Sequence, residues 1–158
     1  MKRMLLALGA DSAGLSLKNM LRDRLKNDER VELRDYGDVA SDVDYPLVGI
    51  AVAEMVARGE VDRAILICGT GIGMAIAANK VPGIRATVAH DAYSAERSIL
   101  SNNCQVLTMG ARVIGVELAY RLVNEWLDYK FDETSPSARK VQLITEYEQR
   151  NKATKARS

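Results

Sequence analysis

The aliphatic run Ile65-Leu66-Ile67 stops at Cys68 and is followed by Gly69-Thr70-Gly71-Ile72-Gly73 and then, with no spacer, by the small-residue stretch from Met74 to Lys80. No other feature limits the chain so strongly, because this order reads as buried strand, tight loop and helix N-terminus. Glycine at every second position lets the backbone turn with φ > 0 and lets its N–H groups converge, and the helix start adds its own unpaired donors. The loop is therefore a place for an anion. Cys68 stands at its lip, where a field that attracts an anion favours thiolate over thiol. A plain turn beside a buried cysteine would show the same spacing, since free cysteine is among the most buried residue types. The stretch lacks the Lys-Ser/Thr of a Walker loop and departs from the dinucleotide spacing Gly-x-Gly-x-x-Gly.

Around this centre the chain alternates strand and helix. Met4 to Leu8 reads as a strand buried on both faces, with Gly9-Ala10-Asp11-Ser12-Ala13-Gly14 as the loop at its carboxyl end. Leu15, Leu17, Met20, Leu21 and Leu25 mark a helical face among Lys18, Arg22, Asp23, Arg24 and Lys26. Val31 to Tyr36 is a second strand ending at Gly37. Asp44-Tyr45-Pro46 opens a helix through Val56, with Asp44 as cap, Pro46 in the first turn and Gly59 closing it. Strands are predicted at Ala64 to Ile67, Ile84 to Ala89 and Gln105 to Met109. The helix after the loop ends at Pro82-Gly83, and Asp91 caps the next one. A helix from Gly115 to Tyr129 turns Leu118, Leu122, Val123 and Trp126 inward, and a last helix carries Val141, Leu143, Ile144 and Tyr147.

Repeated strand–helix units imply one doubly wound, Rossmann-like α/β domain over residues 1–150, with a five-stranded parallel sheet, helices on both faces and an extra C-terminal helix. Residues 151–158 have no apolar anchor and read as a flexible tail. In such sheets ligands bind where the strand order reverses, commonly between strands one and three, which brings Asp11 and Ser12 beside the Cys68 loop.

Composition narrows the partners. A net charge of +1 gives no global pull toward nucleic acid or an anionic membrane. No stretch approaches the ~18 apolar residues a spanning helix needs, and the N-terminal apolar run breaks at Gly9-Ala10-Asp11, too early for a signal peptide. Cys68 and Cys104 make no disulfide framework and suit a reducing cytoplasm. One histidine, His90, cannot build a histidine-rich metal site, so the chemistry is expected to need neither metal nor cofactor. His90 itself reads as structural.

The segments Gly9-Ala10-Asp11-Ser12-Ala13-Gly14, Asp44-Tyr45-Pro46, Ile67-Cys68-Gly69-Thr70-Gly71-Ile72-Gly73, Ala77-Ala78-Asn79-Lys80, Gly83-Ile84-Arg85-Ala86, Tyr93-Ser94-Ala95 and Met109-Gly110-Ala111-Arg112-Val113-Ile114-Gly115 together resemble the ribose-5-phosphate isomerase B family, which includes the galactose-6-phosphate isomerase subunits. The resemblance implies metal-free aldose–ketose isomerisation of a sugar phosphate through a cis-enediolate. It implies Cys68 as the base between C1 and C2, and Thr70 as a proton shuttle between O1 and O2. The amides of Gly69, Gly71, Ile72 and Gly73 would hold the enediolate, with Asp11, Ser12 and Tyr45 around the substrate. It implies a homodimer or dimer of dimers with shared sites, the partner supplying Asn102 for the sugar and Arg112 for the phosphate. Arg112 as a surface ion-pair residue and Asn102 as a helix C-cap are the ordinary alternatives.

Two departures bear on substrate. The family usually shows Asp-His where this chain has Asp11-Ser12, and His-Asn-Asp, whose histidine opens the sugar ring, where it has Ser101-Asn102-Asn103. The Arg-His-x-x-Arg phosphate clamp has become Pro136-Ser137-Ala138-Arg139-Lys140, leaving Lys140, with Arg139 or Ser137, for the phosphate. A tetrose 4-phosphate cannot close an unstrained ring because its C4 oxygen is esterified, so an enzyme for erythrulose 4-phosphate and erythrose 4-phosphate would need no ring opener. The alternatives are a ribose-5-phosphate isomerase that opens the furanose with Asp11 or water, a hexose-6-phosphate isomerase, and a phosphate- or nucleotide-binding module on the same fold.

Overall fold

The computed structural model describes residues 2–36 and 43–157, so the expected strand end at Gly37 lies outside the described residues. In chain order the elements are β1 (Met4–Ala10), α1 (Leu15–Leu25), β2 (Val31–Tyr36), α2 (Tyr45–Ala57), β3 (Arg63–Cys68), α3 (Ile72–Asn79), β4 (Ala86–Val88), α4 (Ala92–Leu100), β5 (Val106–Gly110), α5 (Val116–Trp126) and α6 (Pro136–Arg157). The strands form one parallel sheet in the order β2-β1-β3-β5-β4, which reverses direction between β1 and β3.

Both faces are covered, which is why β1, β3 and β5 are largely apolar without alternation. On one face α1, α4 and α5 bring Leu17, Leu21, Ile99, Leu122 and Trp126 onto Leu6, Leu8, Ile65, Ile67 and Leu107. On the other, α2 and α3 bring Val48, Val52, Met74 and Ala78 onto Ala7, Leu66 and Val106.

Several local expectations change. Lys18, expected on the outer face of α1, is fully buried, and Met20, expected inside, is exposed. The Lys18 ammonium donates to Asp35 Oδ1 at 2.7 Å and approaches the Tyr36 carbonyl at 3.5 Å, so it ties α1 to β2. Leu118 is exposed and Ala119 takes its place inside, because residues 119, 122, 123 and 126 are the true face of α5. Asp44 occupies the N-cap position of α2 without a side-chain cap bond, whereas Asp91 accepts the Ser94 N–H at 2.7 Å. Helix α6 runs through Arg157 although residues 149–157 are exposed; the Gln, Arg, Lys and Ala of this stretch favour helix by intrinsic propensity. Only Val141 of that helix is buried, and Leu143, Ile144 and Tyr147 face outward.

Strand β4 pairs over just three residues, shorter than the predicted Ile84 to Ala89, and side chains meet backbone groups there that no neighbouring strand pairs. The Asn79 amide brackets Ala86, accepting its N–H at 2.7 Å and donating to its carbonyl at 2.8 Å. Gln105 does the same at the strand's start, accepting the Arg85 N–H at 2.8 Å and donating to the Gly83 carbonyl at 2.9 Å.

Candidate active site

At the carboxyl ends of β1 and β3, where the sheet reverses, a cleft of about 510 Å³ is lined by Asp11, Ser12, Tyr45, Cys68, Gly69, Thr70, Ile72, Gly73 and Arg112 of one chain, together with Ala13 and Ile76. Cys68 is the last residue of β3 and its side chain is almost wholly buried. Its sulfur accepts the Gly71 N–H at 3.1 Å.

The loop is bent by Gly71, whose φ of 78° is left-handed and whose absent side chain lets the backbone lie on Met109 of β5. Thr108 Oγ1 donates to the Gly71 carbonyl at 2.7 Å and locks that turn. Two of the loop donors are thereby engaged within the loop: Gly71 N–H on Cys68, and Ile72 N–H on Thr70 Oγ1 at 3.3 Å. Among the described residues no acceptor meets the N–H groups of Thr70 and Gly73. No acceptor among the described residues meets the Gly69 N–H either, so of the loop amides expected to hold an anion, those of Gly69, Thr70 and Gly73 stand open at the start of α3.

Arg112 is placed differently from expectation. It was to come from a partner, yet its guanidinium lies against Gly69 of its own chain: a β-carbon there would stand 2.8 Å from its Nη1. The reason is backbone pairing past the end of β5, where Ala111 N–H donates to the Cys68 carbonyl at 2.8 Å and Arg112 N–H to the Gly69 carbonyl at 3.1 Å. Tyr45, at the N-terminus of α2, lies over Gly73 so closely that any side chain there would collide with its ring. Asp11 Oδ1 accepts the Gly14 N–H at 3.0 Å, which fixes the β1–α1 loop beside Cys68.

Asn102, Arg139 and Lys140 do not line this cleft. Asn102 caps α4 through a 2.9 Å bond from Nδ2 to the Arg97 carbonyl and lines a separate cleft of about 620 Å³ between β4, α4 and α6. Arg139 and Lys140 are exposed in the first turn of α6. The larger cleft has no nucleophile beside open amides, and its Cys104 thiol is pushed up to about 11 by burial, which keeps it protonated. The smaller one joins a cysteine to open loop amides.

Ile76 and Ala13 entered the cleft unforeseen. For Ile76 the signal was available, since it stands one helical turn after Ile72, and both are more than half exposed. His90 is half-buried, and its Nε2 accepts the Gly110 N–H at 2.9 Å. Burial lowers its pKa, with Asp91 offsetting part of the effect.

The profile of the family described as Ribose/Galactose Isomerase matches residues 6–144. The chain is 57% identical over 146 residues to D-erythrulose-4-phosphate isomerase 2 of Mycolicibacterium smegmatis, covering 90% of this chain and 96% of that protein. It is 47% identical over 150 residues to Ribose-5-P isomerase B of Listeria innocua, covering 94% and 100%. Among solved structures, ribose-5-phosphate isomerase B of Clostridium thermocellum superposes with a TM-score of 0.87 at 43% identity, over 94% of this chain and 99% of that one.

Proposed function

The chain belongs to the ribose/galactose isomerase family, and on that footing we propose that it interconverts D-erythrulose 4-phosphate and D-erythrose 4-phosphate, without a metal, through a cis-enediolate. One observation carries the substrate. The sequence holds a single histidine, and its Nε2 is committed to the Gly110 N–H, so no imidazole stands free in the cleft to open a sugar ring. A tetrose 4-phosphate asks for none. The 57% identity to a relative named for that ketose supports the same choice.

The chemistry then follows from the geometry. A proton on carbon beside a carbonyl leaves only if a base touches it while donors meet the oxygen that becomes negative. Cys68 sulfur is the base, taking the proton from C1 or C2 and returning it to the other. The N–H groups of Gly69, Thr70 and Gly73 and the Arg112 guanidinium meet the anionic oxygens, and the Thr70 hydroxyl passes the proton between O1 and O2. Asp11, Ser12 and Tyr45 border the sugar, and Gly69, Gly71 and Ile72 shape the loop.

The active unit in this reading is a homodimer or a dimer of dimers. Asn102, and the cations Arg139 and Lys140, lie away from their own cleft and serve a neighbour's sugar and phosphate. Outward apolar side chains support this association: Leu47, Ile72 and Ile76 beside the cleft, and Leu143, Ile144 and Tyr147 on α6. Two free cysteines fit a cytoplasmic setting, and among the described residues no helix is long and apolar enough to cross a membrane.

The test is a panel of four-, five- and six-carbon sugar phosphates. The expected result is the highest kcat/KM for erythrulose 4-phosphate. A greater kcat/KM for ribose 5-phosphate would replace the tetrose reading with a pentose one.

A further inference from the structure

Strand β4 ends at Val88 while its neighbour β5 continues to Gly110. In β5, Thr108 faces β4, because its carbonyl accepts the Ala89 N–H at 3.2 Å; two residues on, Gly110 faces the same way. There is no strand left for Gly110 to pair with. The carbonyl that a longer β4 would have supplied is replaced by the ring of His90, whose Nε2 takes the Gly110 N–H at 2.9 Å. A neutral ring accepting at Nε2 carries its proton on Nδ1.

What this bond holds is the roof of the Cys68 loop. Gly110 touches that loop directly: a β-carbon on it would stand 2.5 Å from Thr70 Cα and 2.7 Å from the Gly69 carbonyl oxygen. The next two residues donate to the Cys68 and Gly69 carbonyls, and the second of them is Arg112, whose guanidinium lies against Gly69. A continuous path of contacts therefore runs from the His90 ring through Gly110 to Thr70, Cys68 and Arg112. We propose that His90 is a positioning residue for isomerisation: by acting as the missing strand acceptor for Gly110 it sets where the loop and Arg112 stand relative to the Cys68 sulfur. This rests on Cys68 being the base, and it adds a residue that touches no substrate.

The test compares His90→Gln, whose side-chain oxygen reaches nearly as far as Nε2, with His90→Asn, which is polar but too short, and with His90→Leu, which has no acceptor. Each is measured for kcat and KM on erythrulose 4-phosphate and for the rate of Cys68 alkylation by iodoacetamide, per folded site. Misplacement by about an ångström costs on the order of 10²-fold. The expected result is a fall in kcat of about 10- to 100-fold for Asn and Leu, a raised KM from the displaced Arg112, and an altered alkylation rate, with Gln within about threefold of the parent. Should Leu fail to fold, Asn against Gln decides. Parental kcat and alkylation in Asn, or equal losses in Gln and Asn, overturn the proposal. Cys68→Ala is run alongside: activity retained there removes Cys68 as base, and the alkylation rates of the His90 variants still decide the role of His90.

Discussion

Cys68 and Cys104 are both buried, but they sit in opposite surroundings. Cys68 accepts a backbone N–H at the mouth of a cleft, while Cys104 is held protonated by apolar burial. Iodoacetamide should therefore modify Cys68 well before Cys104, and substrate should slow it; mass spectrometry showing Cys104 labelled first contradicts this. Cys68→Ala should lower kcat by ~10²-fold or more with the fold intact, as loss of a positioned base does. That Cys68, Asp11 and the glycines meet in one cleft was legible in the sequence, because it follows from one loop and one topological rule, while Thr70 was named from the family resemblance. Arg112 was legible as a site residue but not as its own chain's, since its place depends on pairing between the ends of β3 and β5. His90 read as structural because a side chain standing in for a strand leaves no periodic trace.

The elements show where pattern reading stops. The five strands came from apolar runs, but Lys18 within α1 looked like an outward charge and is buried against β2. A lysine is read as exposed unless its partner is known, and Asp35 is 17 residues away. Burial pushes the Asp35 carboxyl upward, but hydrogen bonds from Lys18 and Arg22 outweigh it and leave it below the usual carboxylate range. Since the folded-state value is lowered, this contribution to stability is present above the unfolded value near pH 4 and is lost as the pH falls below it. Asp35→Asn strands the buried ammonium and should cost about 3 kcal/mol at neutral pH. The deficit against the parent should shrink in acid. Urea unfolding at pH 7 and pH 3 measures both, and an equal deficit at the two values refutes the account.

At the scale of the whole molecule, Asn102, Arg139 and Lys140 lie away from the cleft, and under the proposed shared site the placement of Arg112 changes which subunits can rescue one another. Cys68→Ala and Asn102→Ala chains, each impaired alone, should regain activity when mixed and allowed to exchange, because some pairs unite an intact cleft with an intact Asn102. Cys68→Ala mixed with Arg112→Ala should not, since both lesions fall in the same chain's cleft. Absence of rescue in the first mixture, after exchange is verified by mass, removes the shared site, and rescue in the second returns Arg112 to the partner's cleft. The proposed association came from the family resemblance alone; the apolar residues on α3 and α6 that found no inward face are surfaces it could use, and no single-chain pattern says which surfaces meet.

The Asn79 amide on Ala86 also decides what the sheet's rim can offer. Arg85 faces β5, so Ala86 faces away from the sheet, and Asn79 occupies both of its outward backbone groups. The Val88 carbonyl, on the same side, accepts the Thr87 hydroxyl at 3.3 Å. This rim of the sheet has little to offer an incoming strand, and exposed rims of that kind are where chains polymerise edge to edge. The β4 rim is thus a poor template for open-ended pairing of strands between copies of this chain.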